Sequence, residues 1–121
     1  MARTPFREYT IYVRKKTGIS VSIDGTTNNV YSDDYITIEE VVLNTMSSTY
    51  EFLTYGEKTK NMQVAYLDYD EYFGKLEAGD IVYLFDKVPF DEEYVGANAN
   101  YIIDGVFPQN IKVKIVFDKL P

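Results

Sequence analysis

The chain has 121 residues, 45% of them apolar and 16% aromatic, with 12 Tyr, 7 Phe and no Trp, which suits one domain with a true core rather than a disordered chain. It contains neither Cys nor His, so disulfides, thiolate nucleophiles, zinc–thiolate sites and imidazole acid–base chemistry are excluded. Its 19 acidic residues against 12 basic ones leave a net charge of −7, which argues against a broad face that grips phosphates.

Tyr9, Ile11 and Val13 alternate with Thr10, Tyr12 and Arg14, the period-2 pattern of a half-buried strand over residues 8–14. Lys16-Thr17-Gly18 predicts a turn, and residues 19–23 a second alternating strand that ends in the hairpin chemistry of Asp24-Gly25. Residues 24–34 are rich in Gly, Thr, Asn and Asp and predict a loop with a short strand near Val30. Two patterns compete over residues 35–45. Ser32-Asp33-Asp34 could cap a helix, whereas the β-branched density of Ile36, Thr37, Ile38, Val41 and Val42 favours a long strand; the strand is the expectation. Ser48 or Thr49 at one end and Gly56 at the other bracket a short helix near residues 48–55. So short a helix needs tertiary support, so Phe52 and Leu53 should dock on the sheet.

Further along, residues 61–67 predict a strand with Met62, Val64 and Tyr66 on one face. Residues 68–79 form an acidic, irregular stretch that Tyr69, Tyr72, Phe73 and Leu76 could peg down. Asp80 to Phe85 is apolar on both faces, as a central strand would be. A loop over residues 86–98 follows, broken by Pro89 and Gly96, and residues 101–106 and 111–117 close the chain as a hairpin about Pro108-Gln109-Asn110. The sum is an all-β protein, mainly an antiparallel small β-barrel or sandwich, with one short helix near residues 48–55. It reads as a single domain over residues 1–121, with long loops at about 24–34, 68–79 and 86–98. No apolar stretch follows Met1-Ala2-Arg3-Thr4-Pro5 as in a signal peptide, and no run reaches membrane-span length. The expectation is a soluble protein made in cytoplasm.

Chemistry has few places to reside. Asp68-Tyr69-Asp70-Glu71, with Glu77 and Asp80 nearby, offers alternating carboxylates of the kind calcium takes, but it lacks the glycine turn and distal Glu of an EF-hand loop. A solvated acidic loop is the simpler reading. Arg14-Lys15-Lys16 is the one basic run and reads as a solvated tip beside a turn, with phosphate or DNA contact as the alternative. Gly56-Glu57-Lys58-Thr59 has an extra residue and no upstream glycine for a phosphate-binding loop. In Tyr94 to Tyr101 the small residues Gly96, Ala97 and Ala99 permit a close chain crossing or subunit contact, against a plain approach to the next strand. Asn98 and Asn100 there tolerate unusual backbone angles. No catalytic, cofactor-binding or metal-ligating residue is nominated, and no cofactor is expected.

The order of elements across residues 35–107 resembles the stopper, or head-completion, connector proteins of long-tailed bacteriophages. The features that carry the resemblance are Ile36–Leu43, Tyr50–Tyr55, Gly56-Glu57-Lys58-Thr59, Met62–Tyr66, Leu76-Glu77-Ala78-Gly79-Asp80-Ile81 and Tyr101-Ile102-Ile103-Asp104-Gly105-Val106. Residues 86–98 depart from it, being an unusually long segment where many relatives have a tight turn. The resemblance implies a β-barrel subunit of a virion structural protein that is not an enzyme. Such a subunit forms a homo-oligomeric ring, hexameric or dodecameric, beneath the portal and adaptor. The ring closes the DNA exit channel, contacts packaged DNA only transiently, and joins tail-side proteins. An acidic lumen would let DNA slide, and loops 24–34, 68–79 and 86–98 would be the gates. The alternatives are a tail-completion or tail-tube protein, or a small β-sandwich module that binds a ligand on Tyr69, Tyr72 and Tyr94.

Overall fold

The computed structural model describes residues 8–45 and 62–120. Among them the strands are β1 (Glu8–Arg14), β2 (Lys16–Val21), β3 (Thr27–Tyr31), β4 (Ile36–Val42), β5 (Asn44–Thr45), β6 (Met62–Asp68), β7 (Ile81–Tyr83), β8 (Tyr101–Gln109) and β9 (Lys112–Lys119). A one-turn helix, α1, spans Tyr69–Tyr72. Seven strands form one sheet in the order β4-β1-β7-β8-β9-β6-β5, while β2 and β3 make a separate two-stranded sheet. All the strand pairs are antiparallel.

The inward faces of β1, β6, β8 and β9 supply Ile11, Val13, Ala65, Leu67, Ile103, Val113, Ile115 and Phe117, all buried in one core with Ile38, Val41, Leu76, Val82 and Leu84. Met62, Val64 and Val116 are buried as a second, smaller cluster. Both follow from the pleat, which sends alternate side chains to opposite faces. In β7 the residues Ile81, Val82 and Tyr83 are all buried, as the continuous apolar run of a central strand requires.

The sheet curls without closing. β5 follows β4 after the single residue Leu43, and it pairs with β6 through Asn44–Val64 and Thr45–Gln63. Beyond that short ladder, Ala65 to Asp68 have no ladder partner on the side away from β9 among the described residues. A bulge in β4 sits at the same level. Tyr9 faces Val41 and Ile11 faces Ile38, so Thr10 is opposed by both Glu39 and Glu40. Glu40 takes the left-handed conformation, with φ of 58°, which bends the strand. The result is a wedge-shaped seam, pinned at β5 and open toward α1.

Several expectations need correction. Lys16-Thr17-Gly18 lies inside β2 rather than forming a turn, whereas the short strand expected near Val30 is present as β3. The turn signal of Thr17-Gly18 is absorbed by a register irregularity between Lys16 and Gly18. The stretch 68–79 contains α1, where Asp70 and Glu71 lie in the first turn. The closing hairpin turns at Asn110 and Ile111, between Gln109 and Lys112, so Pro108 and Gln109 belong to β8. The strand alternative for 35–45 holds as β4 and β5. The helix near residues 48–55 and the Gly56-Glu57-Lys58-Thr59 segment lie outside the described residues. The barrel form of the fold is replaced by an open, curled sheet.

Candidate functional site

Three polar constellations are built by this topology. The first joins β1, β7 and the segment between β7 and β8. Arg14, at the end of β1, is 5% exposed. Its Nε donates to the Tyr83 hydroxyl at 2.9 Å and its Nη2 to Glu92 Oε1 at 2.8 Å. Its Nη1 donates to the carbonyls of Ser32 and Asp33. The Tyr83 hydroxyl lies 2.9 Å from both oxygens of Glu92 and donates to that carboxylate. The backbone N–H groups of Gly96 and Asn98 donate to it at 3.2 and 3.0 Å.

The electrostatics follow from the contacts. Burial pushes the Glu92 carboxyl up, but the N–H groups of Asn98 and Gly96, the Tyr83 hydroxyl and Arg14 outweigh it and hold the group below its usual range. Burial pushes the Tyr83 phenol up to about 12, against the pull of the Arg14 guanidinium. Both Glu92 oxygens are engaged by the fold, and so are the Arg14 nitrogens. The arrangement is therefore a clamp that fastens the segment between β7 and β8 onto the sheet.

The second constellation centres on Asp80, which is 1% exposed. Its Oδ1 accepts from the Lys16 N–H at 2.9 Å and its Oδ2 from the Glu77 N–H at 3.0 Å. Lys15 Nζ approaches Oδ2 to 2.7 Å. This carboxylate ties the base of β2 to the start of β7. Within the run Arg14-Lys15-Lys16, Arg14 and Lys15 are drawn into ion pairs with Glu92 and Asp80, while Lys16 is exposed.

The third is a cleft of about 280 Å³ in the seam, lined by Ile38, Glu39, Glu40, Tyr66, Leu67, Asp68, Glu71, Tyr72 and Lys112. Lys112 Nζ pairs with Asp68 Oδ1 at 2.7 Å. Of the acidic run 68–71, Asp68 and Glu71 reach this cleft, while Asp80 is held in the second constellation. No three His, Cys, Asp or Glu side chains are arranged to hold a metal ion among the described residues.

The segment 94–101 does make a close crossing. Gly96 has φ of +89°, and a Cβ there would meet Ile81 Cδ1 at 2.9 Å. Asn98 and Asn100 act through their side chains rather than through unusual backbone angles. The Asn100 amide bridges both the N–H and the carbonyl of Leu84, at 2.8 and 3.0 Å, and Asn98 Nδ2 donates to the Val88 carbonyl at 3.0 Å. Of the tyrosines set out as a ligand platform, Tyr69 stacks on Phe73 at 4.6 Å between ring centres, Tyr72 lines the seam, and Tyr94 is exposed on a different segment.

Sequence reasoning missed the Arg14–Glu92 pair, whose members are 78 positions apart. It also missed the most exposed apolar surface of the described residues. In the β2–β3 hairpin, hereafter the arm, Ile19 is 63% exposed, Val21 68% and Ile23 fully exposed. The alternation at 19–23 was legible; what lay under it was not.

No protein-family model matches the chain, and no curated protein matches it. A solved structure is similar in fold: the solution structure of protein SF1141 from Shigella flexneri 2a. The two share 14% identity over 94% of this chain and 92% of that one, with a TM-score of 0.55.

Proposed function

We propose that this chain is a structural subunit of the head–tail connector of a tailed phage, one copy of a ring that closes the DNA exit channel and joins head to tail. The observation that carries the reading is the arm. A two-stranded hairpin standing alone in water is marginal, and one that also turns three aliphatic side chains to solvent is built for contact with another surface. The acidic balance supports the reading as well, since a wall of net negative charge does not grip DNA. The polar clusters of the described residues support a role in assembly over one in catalysis, because Arg14, Glu92, Tyr83 and Asp80 are engaged in holding the fold together. On this reading the portal-side adaptor and the tail-side proteins are the partners, and the virion is where the protein resides.

The test is retention on phage heads. Purified protein is mixed with tailless, DNA-filled heads and with heads that lack DNA, and the particles are separated by sedimentation. The expected outcome is a fixed number of copies on the filled heads and reduced DNA leakage from them. Protein that stays in the supernatant in every mixture removes the connector assignment.

A further inference from the structure

The arm has two unlike faces. Paired residues share a face, so Ile19 sits beside Asn29 and Val21 beside Thr27, while Ser20 and Asn28 point the other way. Ile23 lies beyond β2, in the turn closed by Gly25 N–H to the Ser22 carbonyl, and adds a third exposed aliphatic side chain at the tip. The ridge has no core beneath it: Ile19 and Val21 are about two-thirds exposed and Ile23 wholly so. Native monomers seldom leave a contiguous apolar ridge bare.

A surface that matches the ridge lies on the same chain. Tyr12, Tyr35 and Phe90 form a cluster of three rings, with Tyr12 edge-on to Tyr35 at 5.7 Å and to Phe90 at 5.5 Å. Phe90 is 63% exposed and Tyr35 39%. The cluster is fixed from below, because the Arg14 guanidinium lies 5.4 Å from the Tyr35 ring centre. Rigid aromatic groups with an open top are the commonest anchors of protein interfaces.

Charge selects the occupant. Residues 16–31 carry one lysine, Lys16, and one acid, Asp24, so the arm is neutral and the whole net charge of −7 lies on the rest of the chain. Asp33, Asp34, Asp91 and Glu93 flank the aromatic cluster in sequence. A partner with an acidic contact face would be repelled there, whereas a neutral aliphatic ridge would not. Two such acidic bodies can approach one another through the arm.

We propose that the arm of one copy seats its Ile19–Val21–Ile23 ridge on the Tyr12–Tyr35–Phe90 cluster of a second copy. The contact is heterologous, ridge to cluster, so each copy retains one free surface of each kind, and repetition gives a ring if the rotation closes. This deepens the connector reading by naming the two surfaces through which its subunits would meet.

The absence of cysteine from the chain makes a direct test available. Val21→Cys and Phe90→Cys variants are prepared separately, mixed at high concentration and oxidised. The expected product is a Val21→Cys to Phe90→Cys disulfide dimer in the mixture, formed at least about tenfold faster than either variant forms a dimer with itself. A second measurement needs no cross-link: sedimentation of Val21→Asp alone, Phe90→Asp alone, and the two together. Each blocks one half of the contact, so each alone is monomeric, while the mixture forms a dimer and nothing larger. Circular dichroism verifies that both variants are folded. Wild-type protein that stays monomeric at its solubility limit, or a mixture with no preferential cross-link, overturns the proposal. Cross-linking by a protein that ignores phage heads leaves this contact standing and removes the connector role, so the two failures are separable.

Discussion

Glu92 is the residue on which the segment between β7 and β8 depends, because four groups from three parts of the chain converge on its carboxylate. Both members of its ion pair are nearly inaccessible, with side chains 6% and 4% exposed for Arg14 and Glu92. Removing one partner of such a pair leaves the other charge buried and uncompensated, which costs about 3–5 kcal/mol. Glu92→Ala is accordingly expected to destabilise the fold by that amount in urea unfolding, while Glu92→Gln, which keeps an acceptor for Gly96 and Asn98, loses less. The acid limb carries the same signature. The folded-state carboxyl lies below its ordinary value of 4.5, so its stabilising contribution is complete above that value and is lost as pH falls through the lower folded value. The pH dependence of unfolding below about pH 5 should therefore flatten in Glu92→Gln. Were its slope unchanged, Glu92 would not be the group responsible.

Tyr83 gives the opposite sign. Its phenol, raised by burial from 10.0 to about 12, stays protonated in the folded protein where an unfolded chain would ionise. The stability it contributes is complete below pH 10 and is lost as pH rises toward 12. Tyr83→Phe should remove one late-titrating phenol from the tyrosinate absorbance curve. It should also cost about 1–3 kcal/mol, because Arg14 Nε loses its acceptor inside the protein.

At the scale of elements, the bulge in β4 is the feature that shapes the sheet. Glu40 holds φ of 58°, a conformation that costs an L residue about 1–2 kcal/mol and glycine nothing of the kind. Glu40→Gly is expected to leave stability unchanged or raise it by up to about 1 kcal/mol, measured as a shift in the urea midpoint. A loss greater than that would show that the glutamate side chain, and not the backbone, sets the bend. The arm makes a different prediction. Because Val21 buries little and Ile23 nothing in the monomer, Val21→Ser and Ile23→Ser should change its stability by no more than about 0.5 kcal/mol. The amides of β2 and β3 should exchange with solvent well ahead of those of β8 and β9, as hydrogen exchange followed by NMR or mass spectrometry would register.

These elements also show what was legible in the sequence. Alternation located β1, β6 and β9, and the continuous apolar run located β7; in β6, however, the main core takes Ala65 and Leu67, while Met62 and Val64 of the expected face join a second cluster and Tyr66 is exposed. Alternation also located most of β2, but a period of two cannot tell a face on a core from one turned to solvent. The same limit hid the bulge at Glu39 and Glu40, because both residues suit an exposed strand or a turn. The clamp was out of reach for another reason. Nothing local to Arg14 or Glu92 indicates the other, and only the pairing of β1 with β7 through Tyr12–Tyr83 and Val13–Val82 brings Arg14 within reach of the segment that carries Glu92.

Among the described residues, a seven-stranded sheet curls around the main core, and a two-stranded arm follows the end of β1. The clamp and the Asp80 cluster both lie at the arm's base: Arg14 holds the carbonyls of Ser32 and Asp33, and Asp80 holds the N–H of Lys16. The Lys15 carbonyl accepts from the Ser32 N–H at 2.8 Å, closing the root of the arm between them. The arm is therefore rooted rigidly while its distal half is free of the body.

The seam gives the molecule a mechanical character of its own. A closed barrel resembles a hoop: any change in girth must stretch or break a ladder of hydrogen bonds that has no end. This sheet resembles a split ring fastened by a short clasp at Asn44 and Thr45. Its girth can change by opening or narrowing the gap between β4 and β6, leaving the long β6–β9 and β8–β9 ladders intact. Among the described residues, widening that gap would part only the two residue pairs of the β5–β6 ladder.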